Sequence, residues 1–176
     1  EGIGVPIEAL IGPALLAGAA VGVIRLVPVS LLLIPAVFAL AWLVIRVATI
    51  EARIARSSSG PRAADRSTTQ MVALVVGFLS FLAVAALVPG GLPEPGGAGG
   101  SLSSPLVAIS FVLADAGVGF LVGFRAASIR TSSVRDAVWF AITAALIVGI
   151  AAASLRALEI PRLLGPALLT LVVFLW

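Results

Sequence analysis

The stretch FVLADAGVGFLVGFR, from Phe111 to Arg125, contains one carboxylate, Asp115, inside a run that is otherwise apolar up to the closing arginine. What such a charge does depends on the solvent around it. Apolar residues make up 61% of the chain and charged residues 11%, whereas a soluble domain is about half apolar and about a quarter charged. Together with a mean hydropathy of +1.23, this composition predicts an all-α integral membrane protein.

Long apolar runs, separated by clusters of Arg, Pro and Gly, approach or reach the roughly 20 residues that a helix needs to cross a bilayer. We therefore predict a single transmembrane domain over residues 1–176, a bundle of about six helices joined by short loops. The last run is short for a crossing and the chain begins without a Met, so the sequence leaves open whether either end is complete. The predicted spans are 5–24, 28–48, 71–88, 105–124, 137–155 and 163–176.

Arginine is concentrated in two connecting segments, 49–70 and 125–136, which predicts that both are cytoplasmic loops of a multi-pass protein of the plasma (inner) membrane. The first segment also predicts a contact with anionic lipid, through Arg53, Arg56, Arg62 and Arg66. Nucleic acid is not indicated by the pI of about 11.3, because the net charge is only +3 and no aromatic residues interleave with the arginines.

The chain lacks most of the side chains that perform catalysis. It contains no Cys, His or Tyr, and all 11 of its basic residues are Arg. Thiol chemistry, imidazole bases and ligands, and a Schiff base to lysine are therefore excluded for this chain. We predict no catalytic, cofactor-binding or metal-binding residue, and a protein that is not an enzyme.

Asp115 lies near the centre of the fourth predicted span, where an acidic side chain costs roughly 3 kcal/mol on insertion scales. It should face protein or water, as a proton, ion or solute site or as a polar clamp between helices. Arg125 is about 15 Å away along the helix axis, so a partner must come from another helix or another chain. Glu8, about one turn into the first span, is a weaker candidate for a buried polar or ion site, because an interfacial position explains it equally well.

Small residues mark two faces for close helix packing. Asp115, Gly119 and Gly123 follow at i, i+4 and i+8, so they share one helix face. Gly18 and Gly22 have the same spacing in the first span. Such spacings let a neighbouring helix backbone approach closely, which predicts that both faces are buried.

Two functions remain open. The first is a non-catalytic polytopic subunit that packs against partner membrane proteins and stabilises or positions them in a larger complex. It is favoured by the missing catalytic side chains, the glycine faces and the short loops. The alternative is a small transporter, or the membrane component of one, in which Asp115 binds a proton, an ion or a solute.

Overall fold

The computed structural model describes residues 7–27, 31–56, 63–88, 105–129, 133–158 and 164–175. Within these ranges the chain forms helices and turns and no strand, which confirms the predicted helical class for the described residues. A 3₁₀ turn, Ile7–Leu10, leads directly into the first helix. The α-helices are α1 (Ile11–Ile24), α2 (Leu33–Arg56), α3 (Ala63–Leu87), α4 (Pro105–Ser128), α5 (Val134–Ala157) and α6 (Leu164–Leu175).

Four of these helices, α2 to α5, are long and apolar enough to cross a membrane. Each contains an 18-residue window with a mean hydropathy between 2.1 and 2.3. The first and last apolar helices, Glu8–Ile24 and Leu164–Leu175, are shorter. The described helices are therefore compatible with a multi-pass membrane protein, with four of the six predicted spans meeting the length of a crossing.

The helices extend further into the arginine-rich segments than hydropathy predicts. Helix α2 begins at Leu33 and continues past residue 48 to Arg56, while α3 begins at Ala63 and not at 71. Helix α4 likewise continues to Ser128. The prediction that 49–70 and 125–136 are loops is thus wrong for most of their described residues. Ala, Arg and Glu are strong helix formers in water, so the helix persists where the apolar pattern stops.

Helices α4 and α5 make the most extensive helix contact and run antiparallel. A Cβ atom built at Gly119 would lie 2.8 Å from Val148 Cγ2, and one built at Gly123 would lie 2.8 Å from Ala144 Cβ. Only glycine fits at either position without moving α5. Continued by one turn, the same register brings Asp115 opposite the buried Ala152 of α5.

The other helices assemble around this pair. Helix α1 runs parallel to α3, and Gly22 packs against Ala83. Helix α2 contacts α1 and the 3₁₀ turn through its second half, whereas its first half is exposed, with Leu31 91% and Phe38 72% accessible. Helices α3 to α6 enclose an apolar core of Phe81, Val118, Val122, Val148, Ala152 and Leu169.

The contact between α1 and α3 predicts unequal effects of alanine at the two glycines of α1. In Gly22→Ala the new Cβ would lie 2.5 Å from Ala83 Cβ and 2.6 Å from Ala83 Cα, so the two helices must separate. We expect the free energy of unfolding to fall by about 1–3 kcal/mol. Denaturant unfolding of the purified protein in detergent measures this change.

Gly18→Ala is the matched control, one turn earlier on the same helix. No atom of the described residues lies within 4 Å of a Cβ built at Gly18, so this variant should unfold like the wild type. Equal losses in both variants would contradict the described contact of α1 with α3.

Candidate functional site

Asp115 is completely buried in the helix bundle. Its relative exposure is 0%, and neither Oδ1 nor Oδ2 has a hydrogen-bond partner among the described residues. Asp115 is buried because it lies one turn before Gly119 in α4, on the face that packs against α5. A buried carboxyl group without donors is rare in proteins, since its desolvation is not compensated.

Arg156, near the C-terminal end of α5, carries an opposite charge that acts on Asp115. The guanidinium attracts the carboxylate, and the Arg156 Cζ atom lies 4.4 Å from the centre of the Phe111 ring. Phe111 precedes Asp115 by one turn of α4. Arg156 thus attracts Asp115 from another helix without a hydrogen bond to it, and a partner in direct contact with Asp115 stays a prediction.

A second polar site joins α2 to α4. Glu51 is 3% exposed, and its carboxylate forms a salt bridge with Arg125 through Oε2 and Nη2. The Arg125 Nε–H donates to Glu51 Oε1 at 3.3 Å, which makes the contact bidentate. The Arg125 Nη1 group also donates to Ser128 Oγ at 3.4 Å. Two planar groups held by two hydrogen bonds have a defined orientation, which a single contact does not provide.

This ion pair borders a cavity of about 600 Å³. The cavity lies at the end of the bundle where α1 and α3 begin and where α2 and α4 end. Besides the ion pair, its polar lining residues are Thr69 and Gln70 of α3, and Gly12 of α1 lies against the carboxylate. The remaining lining residues are Ile11, Leu15, Val72, Ala73, Val76, Val122, Ala126 and Ile129. The volume is that of an ordinary small-molecule site.

The other residues singled out from the sequence occupy different settings. Glu8 is half-buried in the 3₁₀ turn before α1. Gly22, Gly119 and Gly123 each face a close neighbour on another helix, whereas Gly18 is exposed and approached by none of the described residues. No group of three or more acidic side chains that could hold a metal ion occurs in the described part of the chain.

The arginines expected to contact anionic lipid are only partly described. Arg53 and Arg56 lie on the exposed side of the last turn of α2. The Nε–H of Arg56 donates to the carbonyl of Ala52 at 3.1 Å. Arg62 lies outside the described residues, and of Arg66 only the helical backbone is described. Contact with lipid therefore stays a prediction.

Sequence reasoning missed the Glu51–Arg125 pair. Both residues lie in segments whose arginine content indicates a solvated loop. A signal was nevertheless present, because Glu51 follows the apolar Leu43 and Val47 at intervals of four residues and so continues a buried helix face. Arg125 continues the face of Val118 and Val122 at intervals of four and three residues.

The ion pair predicts strongly non-additive effects on stability. Glu51→Gln and Arg125→Gln each leave one charge buried without its partner, and we expect each to lower the free energy of unfolding by about 3 kcal/mol. The double variant removes both charges and should lose much less than the sum. A double-mutant cycle of unfolding in detergent measures the coupling, and additive losses would contradict a direct interaction.

No protein-family model, curated protein or solved structure matches this chain.

Proposed function

We propose that this chain is a small membrane transporter, or the membrane component of one, in which Asp115 carries a proton. The observation that supports this proposal is the complete burial of Asp115 with no hydrogen-bond donor among the described residues. An ionisable side chain is costly inside a membrane helix and is rarely kept there without a function.

A structural clamp accounts less well for the same residue. A clamp would connect Asp115 to a donor on the packed helix, whereas the face of α5 opposite presents Val148 and Ala152. These side chains can offer no hydrogen bond. A carboxyl group in this setting is stabilised by binding a proton, which removes the charge, or by a cation that approaches it.

Arg156 supplies the charge that a proton carrier needs in its empty state. It lies one turn beyond Ala152 on α5 and attracts Asp115 from there, while its guanidinium lies over the Phe111 ring. In the proposed cycle the protonated carboxyl group of Asp115 is neutral and needs no compensating charge. After the proton leaves, the Arg156 side chain moves towards the carboxylate and compensates its charge.

The proposal includes a topology of six spans in the plasma membrane, with the arginine-rich segments on the cytoplasmic side. Contact between Glu51 and Arg125 supports one part of it, because each residue comes from a different arginine-rich segment. The C-terminal ends of α2 and α4 therefore lie at the same end of the bundle, as that topology requires.

The subunit role remains a second candidate because of α2. Only 6% of the most apolar window of this helix is buried, and its first half contacts little of the rest of the bundle. A partner membrane protein would cover this half. Lipid would cover it as well, so the observation favours the subunit role less specifically than the buried carboxyl group favours transport.

Proton uptake into proteoliposomes tests the transporter proposal. A pH-sensitive dye trapped inside reports acidification while a potassium diffusion potential, negative inside, drives protons inward. We expect wild-type vesicles to acidify and Asp115→Asn vesicles to behave like protein-free ones, because the amide cannot take up a proton. Asp136→Asn, an exposed acid at the start of α5, is the matched control and should retain the flux.

Two outcomes would contradict the proposal. One is a wild-type flux equal to that of protein-free vesicles, and the other is a flux that survives Asp115→Asn. If Asp115→Asn instead releases a stoichiometric partner that copurifies with the wild type, the subunit role is supported and the proton carrier is not.

A further inference from the structure

The cavity beside Glu51 and Arg125 lies apart from Asp115. Arg125 and Asp115 are separated by about 15 Å along α4, with the apolar Val118 and Val122 between them. The cavity and its ion pair therefore form a separate site, whose chemistry does not depend on proton transfer at Asp115.

The charges of this site are balanced before any ligand enters. One carboxylate and one guanidinium face each other, and most of the other lining side chains are apolar. A bound anion or cation would add an uncompensated charge to a setting that solvates charge poorly. A ligand that carries one positive and one negative group adds none.

The ion pair still has hydrogen-bonding capacity for such a ligand. Arg125 has five N–H groups, of which three bond to Glu51 and Ser128 within the described residues. The two others can donate to an anionic group. Glu51 accepts two hydrogen bonds from Arg125 and retains lone pairs on both oxygens for a cationic donor.

Gly12 keeps one side of the carboxylate open. A Cβ atom built at this position would lie 3.2 Å from Glu51 Oε1, closer than ordinary contact. Because glycine has no side chain, a donor from the cavity can approach Oε1 along the start of α1. An alanine at position 12 would crowd this approach without altering either charge.

We propose that this cavity binds a small zwitterion with an apolar body. Its anionic group accepts from Arg125, its ammonium group donates to Glu51, and its apolar body lies along Leu15, Val76 and Val122. Two sources have this chemistry: a free α-amino acid with an apolar side chain, and the headgroup of a zwitterionic phospholipid such as phosphatidylethanolamine. The proposal goes beyond the transport role, since it requires no activity of Asp115.

Calorimetric titration of the purified, delipidated protein tests the first source. The probe is leucine, and the matched compounds are 4-methylpentanoate, which lacks the amine, and 3-methylbutylamine, which lacks the carboxylate. We expect leucine to bind saturably. The affinity of each half-molecule should be lower by a factor of about ten or more, because one member of the ion pair then faces an uncharged atom.

Native mass spectrometry tests the second source. The protein is extracted from nanodiscs that contain equal amounts of phosphatidylethanolamine and phosphatidylglycerol. Preferential retention of phosphatidylethanolamine by the wild type identifies the lipid headgroup as the ligand. Either saturable leucine binding or this retention supports the proposal, and the arm that succeeds identifies the source.

Two variants connect binding to the site. Gly12→Ala should weaken binding about tenfold while the protein stays folded, because it narrows the approach to Glu51 and leaves the ion pair charged. Gly18→Ala, the same substitution on the exposed side of α1, is the control and should bind like the wild type. The proposal is overturned if neither zwitterion binds, if the half-molecules bind as well as leucine, or if Gly12→Ala leaves both affinities unchanged.

Discussion

The close contact of α4 with α5 determines the surroundings of Asp115, on which the proposed function depends. Gly119 and Gly123 bring the two backbones together against Val148 and Ala144, which fixes how far one helix can slide along the other. The register then leaves Asp115 opposite Ala152, where it finds attraction from Arg156 and no hydrogen-bond donor among the described side chains. A slide of one turn would change which residues of α5 face the carboxyl group.

The two polar sites differ in how their buried charges are compensated. Glu51 and Arg125 compensate each other directly, with a bidentate contact that joins α2 to α4 beside a cavity. Asp115 is uncompensated at contact distance, which suits a group whose charge changes during function. The first site is therefore suited to holding a neutral, dipolar ligand, and the second to taking up and releasing a proton.

Local periodicity explains what the sequence could predict. Asp115, Gly119 and Gly123 share a face of α4 whatever that face contacts, because spacing alone places them there. Spacing could not distinguish Gly18 from Gly22, since only the path of α3 decides which of them is approached. Glu51 was hidden because hydropathy averaged over an arginine-rich segment indicates a solvated loop, and its burial depends on α4 bringing Arg125 from 74 residues away. Spacing does place Glu51 on the face of Leu43 and Val47, but its pairing with Arg125 leaves no local pattern.

Cysteine cross-linking in native membranes tests the register of α4 and α5 most directly, and the chain has no cysteine of its own to interfere. A Cβ atom built at Gly149 lies 3.5 Å from Ala116 Cβ, within the range of about 3.5–4.5 Å that disulfides require. The account predicts rapid disulfide formation in the double variant Ala116→Cys/Gly149→Cys. It predicts little when Ala116→Cys is combined instead with Ala145→Cys or Ala153→Cys, one turn to either side of position 149. Faster cross-linking at either shifted position would contradict it, because Asp115 would then face other residues of α5.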